Sequence, residues 1–285
     1  MRAGVWVESG DVDAALDVAI LGVPAHESSL SPTSAHQTPD AIRAALHRYS
    51  TFAGSLDQDL QHLQVADLGS VVHPDGADGQ QRVRDEVRVA LTQAKAVICV
   101  GGDNSITFPI AMGAVADALI TFDAHHDVRE GMSNGSPVRQ LIEAGMPGRR
   151  IVQIGIADFA NARYYSDWAR DQGIYVITRD DLARRGMRDV VDSALVHLDG
   201  ASRIHLDVDV DVCDRSVAPA CPASLPGGIT AHELLEGVFA VMSDPRVHSM
   251  DITEIDAAAD AADQRTVRLG ALIVLRALLG YASRR

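Results

Sequence analysis

Short β-rich apolar runs recur along the whole chain, and stretches with helical spacing separate them. The runs are VAILGVP (18–24), LQVADLG (63–69), AVICVGG (96–102), ALITFDA (118–124), RIVQIGI (150–156), GIYVITR (173–179), RIHLDVDV (203–210) and VHSMDITEI (247–255). PDAIRAALHRY (39–49), RVRDEVRVALTQA (82–94) and TAHELLEGVFAVM (230–242) are among the helical stretches between them. Strand–helix alternation sustained over this length predicts a mostly parallel sheet with helices on both faces, because parallel neighbours need crossover connections that cover the sheet. No repeat period, low-complexity tract or linker breaks the pattern, so residues 1–285 read as one domain.

In open parallel sheets, ligands sit at the carboxyl ends of the strands. The polar clusters of this chain fall there: GGDNS, DAHHD and DVDVD each close one of the runs. Strand alternation in HLDVDVD sets His205, Asp207, Asp209 and Asp211 on one face and Leu206, Val208 and Val210 on the other. Asp123, His125 and Asp127 share a direction if their segment stays extended, whereas His126 turns away and reads as structural. A solvated acidic edge or a satisfied core histidine is the ordinary explanation of either cluster alone. A sheet covered on both faces weighs against the solvated edge, since burying carboxylates without a cation costs several kcal/mol each, and two mixed Asp and His clusters on neighbouring strands outweigh the core histidine. Two such clusters point to a metal site. Oxygen-rich ligation with one imidazole suits Mn2+ better than zinc. The acids exceed the needs of one ion, and a pair bridged by shared aspartates, of the kind that supplies hydroxide at neutral pH, uses them.

Lys plus Arg number 25 against 39 for Asp plus Glu, a net charge of −14. That excludes nucleic acid and anionic membrane as expected partners, and it means that an anionic substrate needs a local cationic pocket. Cys99, Cys213 and Cys221 are odd in number and lack CxxC spacing. Cys99, in AVICV, reads as a small core residue. The first residues lack the apolar stretch of a signal peptide, and LGALIVLRALLG is too short and interrupted by Arg276 to span a bilayer. The expected setting is the reduced cytoplasm.

GGDNS, DAHHD and DVDVCDRSVAP resemble, in order and spacing, the signatures GGDHS, DAHxD and SxDxDxxDPxxxP of the arginase-like ureohydrolases. The resemblance runs from GVP and TPDAIR to SMDITEID. It implies a three-layer α/β/α fold, a homo-oligomer, and two Mn2+ per subunit hydrolysing a C–N bond of a small guanidino or formimino compound. By position, Asn104, Asp123, Asp127 and Asp209 would hold one ion, and Asp123, His125, Asp209 and Asp211 the other, with Asp123 and Asp209 bridging. Asn104 stands where the family has His, an uncharged and weaker donor that implies looser binding of the first ion. Asp207 replaces the usual Ser or Thr and offers a compensating anion; Arg215 replaces a Pro and is expected to affect only its loop.

Asn134 occupies the position of the arginases' proton-shuttling His, and SNGSPVR is similar to the S-N/S-G-T/S-P-x-R segment of the formiminoglutamases. Ser136 is expected to cap a helix that starts with Pro137 and stops at Gly145. Arg139 in its first turn opposes the helix dipole unless an anion sits there, the alternative being a solvent-exposed arginine. With Arg129, it is expected to receive substrate carboxylates; Asn134 and Ser136 complete the expected substrate wall. The resemblance gives Glu254 the cationic end of the substrate, and Asp127 is the candidate for carrying a proton to the leaving amine. The activity implied is conversion of N-formimino-L-glutamate and water to L-glutamate and formamide, as in histidine breakdown. The alternatives are a guanidino hydrolase that releases urea and a metal-poor binding relative.

Overall fold

The structure is a computed structural model that describes residues 1–284. Its strands are β1 (Leu16–Val23), a two-residue pair β2 (Phe52–Ala53) and β3 (Gln58–Asp59), β4 (Val65–Ser70), β5 (Ala94–Gly101), β6 (Ala118–Phe122), β7 (Ile151–Ile156), β8 (Tyr175–Thr178), β9 (Ile204–Asp209) and β10 (Val247–Thr253). Apart from the antiparallel β2–β3 pair, they form one eight-stranded sheet in the order β4-β1-β5-β10-β9-β6-β7-β8. Every neighbouring pair in it is parallel.

Two apolar layers sandwich the sheet. On one face, Ile98, Ile120, Phe122, Ile154, Leu206, Val208, Met250 and Ile252 pack under the helices Thr38–Leu46, Ala231–Met242 and Arg265–Ala282. The other face is covered by Gly76–Gln93 and Thr107–Gly113 over β1 and β5, and by Pro137–Glu143 and Arg163–Asp171 over β6 and β7. This is the three-layer α/β/α arrangement expected. The last long helix is buried along most of its length because it fills the first layer, not because it crosses a bilayer. Its Arg276 lies 4.9 Å from the Phe239 ring and donates to the Leu235 carbonyl oxygen at 3.3 Å. No described helix is long and apolar enough to span a membrane.

The second face carries polar side chains at the middle of the sheet. Thr121, Asp207 and Asp251 stand in register on β6, β9 and β10. Thr121 donates to Asp207 Oδ2 at 2.7 Å, while His205 lies 2.8 Å from Ser249 Oγ and 3.1 Å from Asp251 Oδ2. All are buried. The alternation expected for HLDVDVD holds through Asp209, where β9 ends; Val210–Val212 is a 3-10 turn, so Asp211 does not share the strand face. Likewise β6 ends at Phe122, and Asp127 adopts a left-handed backbone with φ 50°. Asp123, His125 and Asp127 are gathered by a turn instead of an extended run, since consecutive donors must fold back to reach a common point.

Candidate metal centre

Four central strands deliver the site at their carboxyl ends. Asp123 follows β6, Asp209 closes β9, Glu254 follows β10, and Gly102–Asp103–Asn104 follows β5. The second glycine of GGDNS is dictated by space: a Cβ at Gly102 would meet the Ala25 carbonyl oxygen at 1.9 Å. That close approach lets Gly102 O accept from Glu254 N at 2.9 Å, joining two strand ends.

Two donor groups form there, Asp123–His125–Asp211 and Asp123–Asp127–Asp209, each with its donor atoms within 4.8 Å of one another. Asp123 belongs to both. Backbone amides orient the carboxylates: His125 N donates to Asp123 Oδ1 at 2.6 Å, Ala124 N to Asp211 Oδ1 at 2.8 Å, and Asp211 N to Asp209 Oδ1 at 2.8 Å. His125 Nδ1 lies 2.6 Å from Asp211 Oδ2.

Burial, with repulsion from neighbouring aspartates, drives the pKa values of Asp123 and Asp209 well above the carboxylate range, and burial takes that of Asp127 to about 7. Burial opposes protonation of His125, but Asp211 outweighs it and raises its pKa to about 9. Against burial, the same pairing lowers that of Asp211. Asp123 Oδ2 is buried with no hydrogen-bond partner. An orphaned oxygen on the one aspartate common to both donor groups, in a hole where the acids cannot all ionise unaided, fits a pair of divalent cations.

Three of the expected placements change. Asn104 does not offer its oxygen to the cluster: Oδ1 accepts from the hydroxyls of Thr107 at 2.6 Å and Thr253 at 3.1 Å, and Nδ2 donates to Asp127 Oδ2 at 2.7 Å. The 3-10 turn Asn104–Ile106 sets that orientation, so the amide positions a donor residue instead of acting as one. Asp209 appears only in the group with Asp123 and Asp127, with its Oδ1 accepting from Asp211 N. Asp207 lies one pleat deeper, held by Thr121, and belongs to neither group, so it does not replace the missing imidazole.

A cavity of about 270 Å³ opens onto the centre, and Asp127, Arg129, Asn134, Tyr165, Asp209 and Glu254 are among its lining residues. Glu254, with φ 64°, turns its carboxylate inward; Oε1 accepts from Asn104 N at 2.8 Å and Asn134 Nδ2 at 2.9 Å. Burial and nearby Asp103 raise its pKa to about 8. Asn134 Oδ1 accepts from Leu30 N at 3.0 Å, so one amide holds both the glutamate and the opposite wall. Arg129 lies over the Tyr165 ring at 5.4 Å and is the one Lys or Arg side chain in the lining.

Arg139 does not reach the cavity. It pairs with Glu143 at 2.9 Å and Glu130 at 3.4 Å and lies 5.0 Å from the Trp168 ring, so its cation is satisfied by its own helix and its neighbours, not by a ligand. Ser136 occupies the expected cap position but makes no side-chain cap bond; it is buried against Ser133 Oγ at 2.8 Å and is absent from the lining. Pro137 does open the helix, and Gly145, at φ 108°, lies just past its end.

Sequence reasoning missed Leu30, Ser31, Asn161 and Tyr165. Asn161 takes His126 N at 3.0 Å and donates to Ala124 O at 3.0 Å, bracing the DAHHD turn. No local motif marks these residues, which reach the site through tertiary packing. His126 is structural as expected, 2.7 Å from Gln153 Oε1, and it also forms part of the cavity wall.

Residues 16–280 match the Arginase family model. The chain belongs to the arginase family. It is 38% identical over 276 residues to the formimidoylglutamase of Halalkalibacterium halodurans, covering 92% of this chain and 86% of that protein. The agmatinase of the same organism is 26% identical over 274 residues, covering 92% and 91%. The crystal structure of formimidoylglutamase from Bacillus subtilis superposes with a TM-score of 0.94 at 31% identity, covering 100% of this chain and 93% of that one.

Proposed function

We propose that this arginase-family hydrolase cleaves the formimino C–N bond of N-formimino-L-glutamate, giving L-glutamate and formamide. One structural observation carries the preference for a carboxylate-bearing substrate: Arg129 alone among Lys and Arg side chains lines the cavity, and among the described residues it has no carboxylate partner. Such a cation receives a substrate carboxylate in a fork geometry. Agmatine has no carboxylate and carries a distal amine, which an arginine repels. The greater likeness to a formimidoylglutamase than to an agmatinase agrees.

Asp123, His125, Asp127, Asp209 and Asp211 are the residues that would hold two Mn2+, the oxygen-rich set favouring manganese over zinc. When bound, the ions lower the pKa of water enough for hydrolysis at neutral pH. Glu254, held in place by Asn104 N and Asn134, faces the cationic amidine, whose charge favours the ionised carboxylate and is stabilised by it. Asp127 carries the proton to the leaving amine from Oδ1 or Oδ2, with Asn104 Nδ2 fixing the latter. Arg129 anchors the glutamate end, so the reacting carbon is presented in a fixed pose.

The deciding experiment is a panel of formiminoglutamate, arginine, agmatine and guanidinobutyrate with added Mn2+. Turnover of formiminoglutamate well above the others is the expected result. Preferential release of urea from agmatine or guanidinobutyrate would replace this reading with a guanidino hydrolase.

A further inference from the structure

Residues 24–37 leave β1, place Leu30 and Ser31 in the wall of the catalytic cavity, and return through the 3-10 turn Ala35–Gln37. Outside that cavity, the two ends of the loop meet, with the rings of His26 and His36 centred 4.3 Å apart. His73 and Asp75, from the segment after β4, face them across a second cavity of about 410 Å³, which Pro24, Glu27 and Pro74 complete.

Two of these donors are already fixed. Asp75 Oδ1 accepts the backbone N–H of His26 and of Glu27, each at 2.8 Å. Asp75 Oδ2 lies 3.7 Å from His26 Nδ1, which is beyond hydrogen-bond length, and that buried ring nitrogen has no partner. The gap is near the separation of about 3.3 Å between two ligands on one tetrahedral zinc with bonds of about 2.0–2.1 Å. His36 and His73 are exposed, which leaves their rings free to turn toward the pair. The set is open as it stands, since only the two catalytic groups among the described residues have donor atoms within 4.8 Å.

We propose that His26, His36, His73 and Asp75 form a peripheral site for a borderline-soft divalent cation of the Zn2+ type, which closes on binding and staples the ends of the loop that walls the catalytic cavity. Three imidazoles and one carboxylate favour zinc over manganese, so this site and the oxygen-rich centre select different metals. The consequence for the active site passes through Leu30, whose backbone N–H is held by Asn134, which in turn holds Glu254. The proposal does not depend on which amidine the enzyme hydrolyses.

The test uses tag-free, Mn2+-loaded enzyme given one equivalent of Zn2+, with metal analysis after gel filtration and limited proteolysis. The comparison is the His36→Ala/His73→Ala double variant, which removes two exposed side chains outside the catalytic cavity. Wild type is expected to retain one zinc per chain without losing manganese and to gain protection from cleavage between residues 26 and 36. Losing even an outer partner of a metal costs about ten- to hundredfold in affinity, so the double variant is expected to bind zinc at least tenfold more weakly while keeping its manganese and activity. Equal zinc retention by the variant, zinc uptake only at the expense of manganese, or no uptake by wild type would each overturn the site. Uptake without protection of the loop would overturn the staple.

Discussion

Among single residues, Arg129 and Arg139 make the sharpest contrast. Both are cations close to the donors in sequence, yet only Arg129 enters the cavity. Arg129→Ala is expected to raise KM for formiminoglutamate about ten- to hundredfold, the loss of a charged hydrogen bond worth roughly 1.5–3 kcal/mol, with a smaller change in kcat. Arg139→Ala should leave KM unchanged and lower Tm slightly, because it breaks pairs with Glu130 and Glu143 and a contact with Trp168. Steady-state kinetics of the two variants check both, and equal KM effects would refute the assignment. Glu254→Gln is expected to act on kcat, since it removes charge facing the amidine. The sequence showed the donor aspartates and His125 plainly, since carboxylates at the ends of buried strands have few uses. It could not separate the two arginines: which cation is neutralised by its neighbours depends on Glu130, Glu143 and Trp168 meeting in space.

Elements matter through their ends. β10 stops at Thr253, just before Glu254 turns left-handed at φ 64°, and the turn that follows the end of β6 at Phe122 carries the left-handed Asp127 at φ 50°; these turns aim the side chains inward. The run pattern gave the strands to within a few residues but read both ends as extended, because a period-two pattern carries no information about where the chain leaves the sheet. The orientation of the Asn104 amide is hidden from the sequence for a similar reason. Its role depends on Thr107 and Thr253, one on the following helix and one on a strand far along the chain. As a positioning residue, Asn104→Ala is expected to lower kcat and leave Arg129-dependent KM in place, while Asp123→Ala removes a donor shared by two groups and should abolish activity and metal retention together. Metal analysis alongside kinetics distinguishes them; comparable metal loss in both would mean Asn104 ligates after all. Gly135 is a further element-scale constraint, since a Cβ there would lie 2.8 Å from Arg129 Cδ. Gly135→Ala should therefore displace Arg129 and raise KM without affecting the metals.

For the whole molecule, the buried acids couple stability to pH and to cations. Asp127 and Glu254 shift from 3.8 and 4.5 to about 7 and about 8 in the folded protein. A raised folded pKa gives stability that is complete below the unfolded value and lost as pH rises through the folded one. His125, raised from 6.5 to about 9, acts in the same direction. Chelated protein is therefore expected to lose Tm progressively between about pH 5 and pH 9, and Mn2+ to restore most of it at the alkaline end, because cations bind the deprotonated donors. Thermal melts across that range with and without chelator decide the matter; a Tm independent of pH in the chelated protein would count against buried acids held without compensation. The sheet order has a different consequence, for the birth of the chain. β10, near the end of the sequence, sits at the middle of the sheet between β5 and β9. Until it leaves the ribosome, the native pairings open to the strands already made are limited to two separate pieces, β4-β1-β5 and β9-β6-β7-β8, each with an unpaired edge facing the gap. The last strand is the keystone, and a nascent enzyme waits for it with both halves open, which makes the interval before residues 247–253 emerge the time when this chain most needs a chaperone.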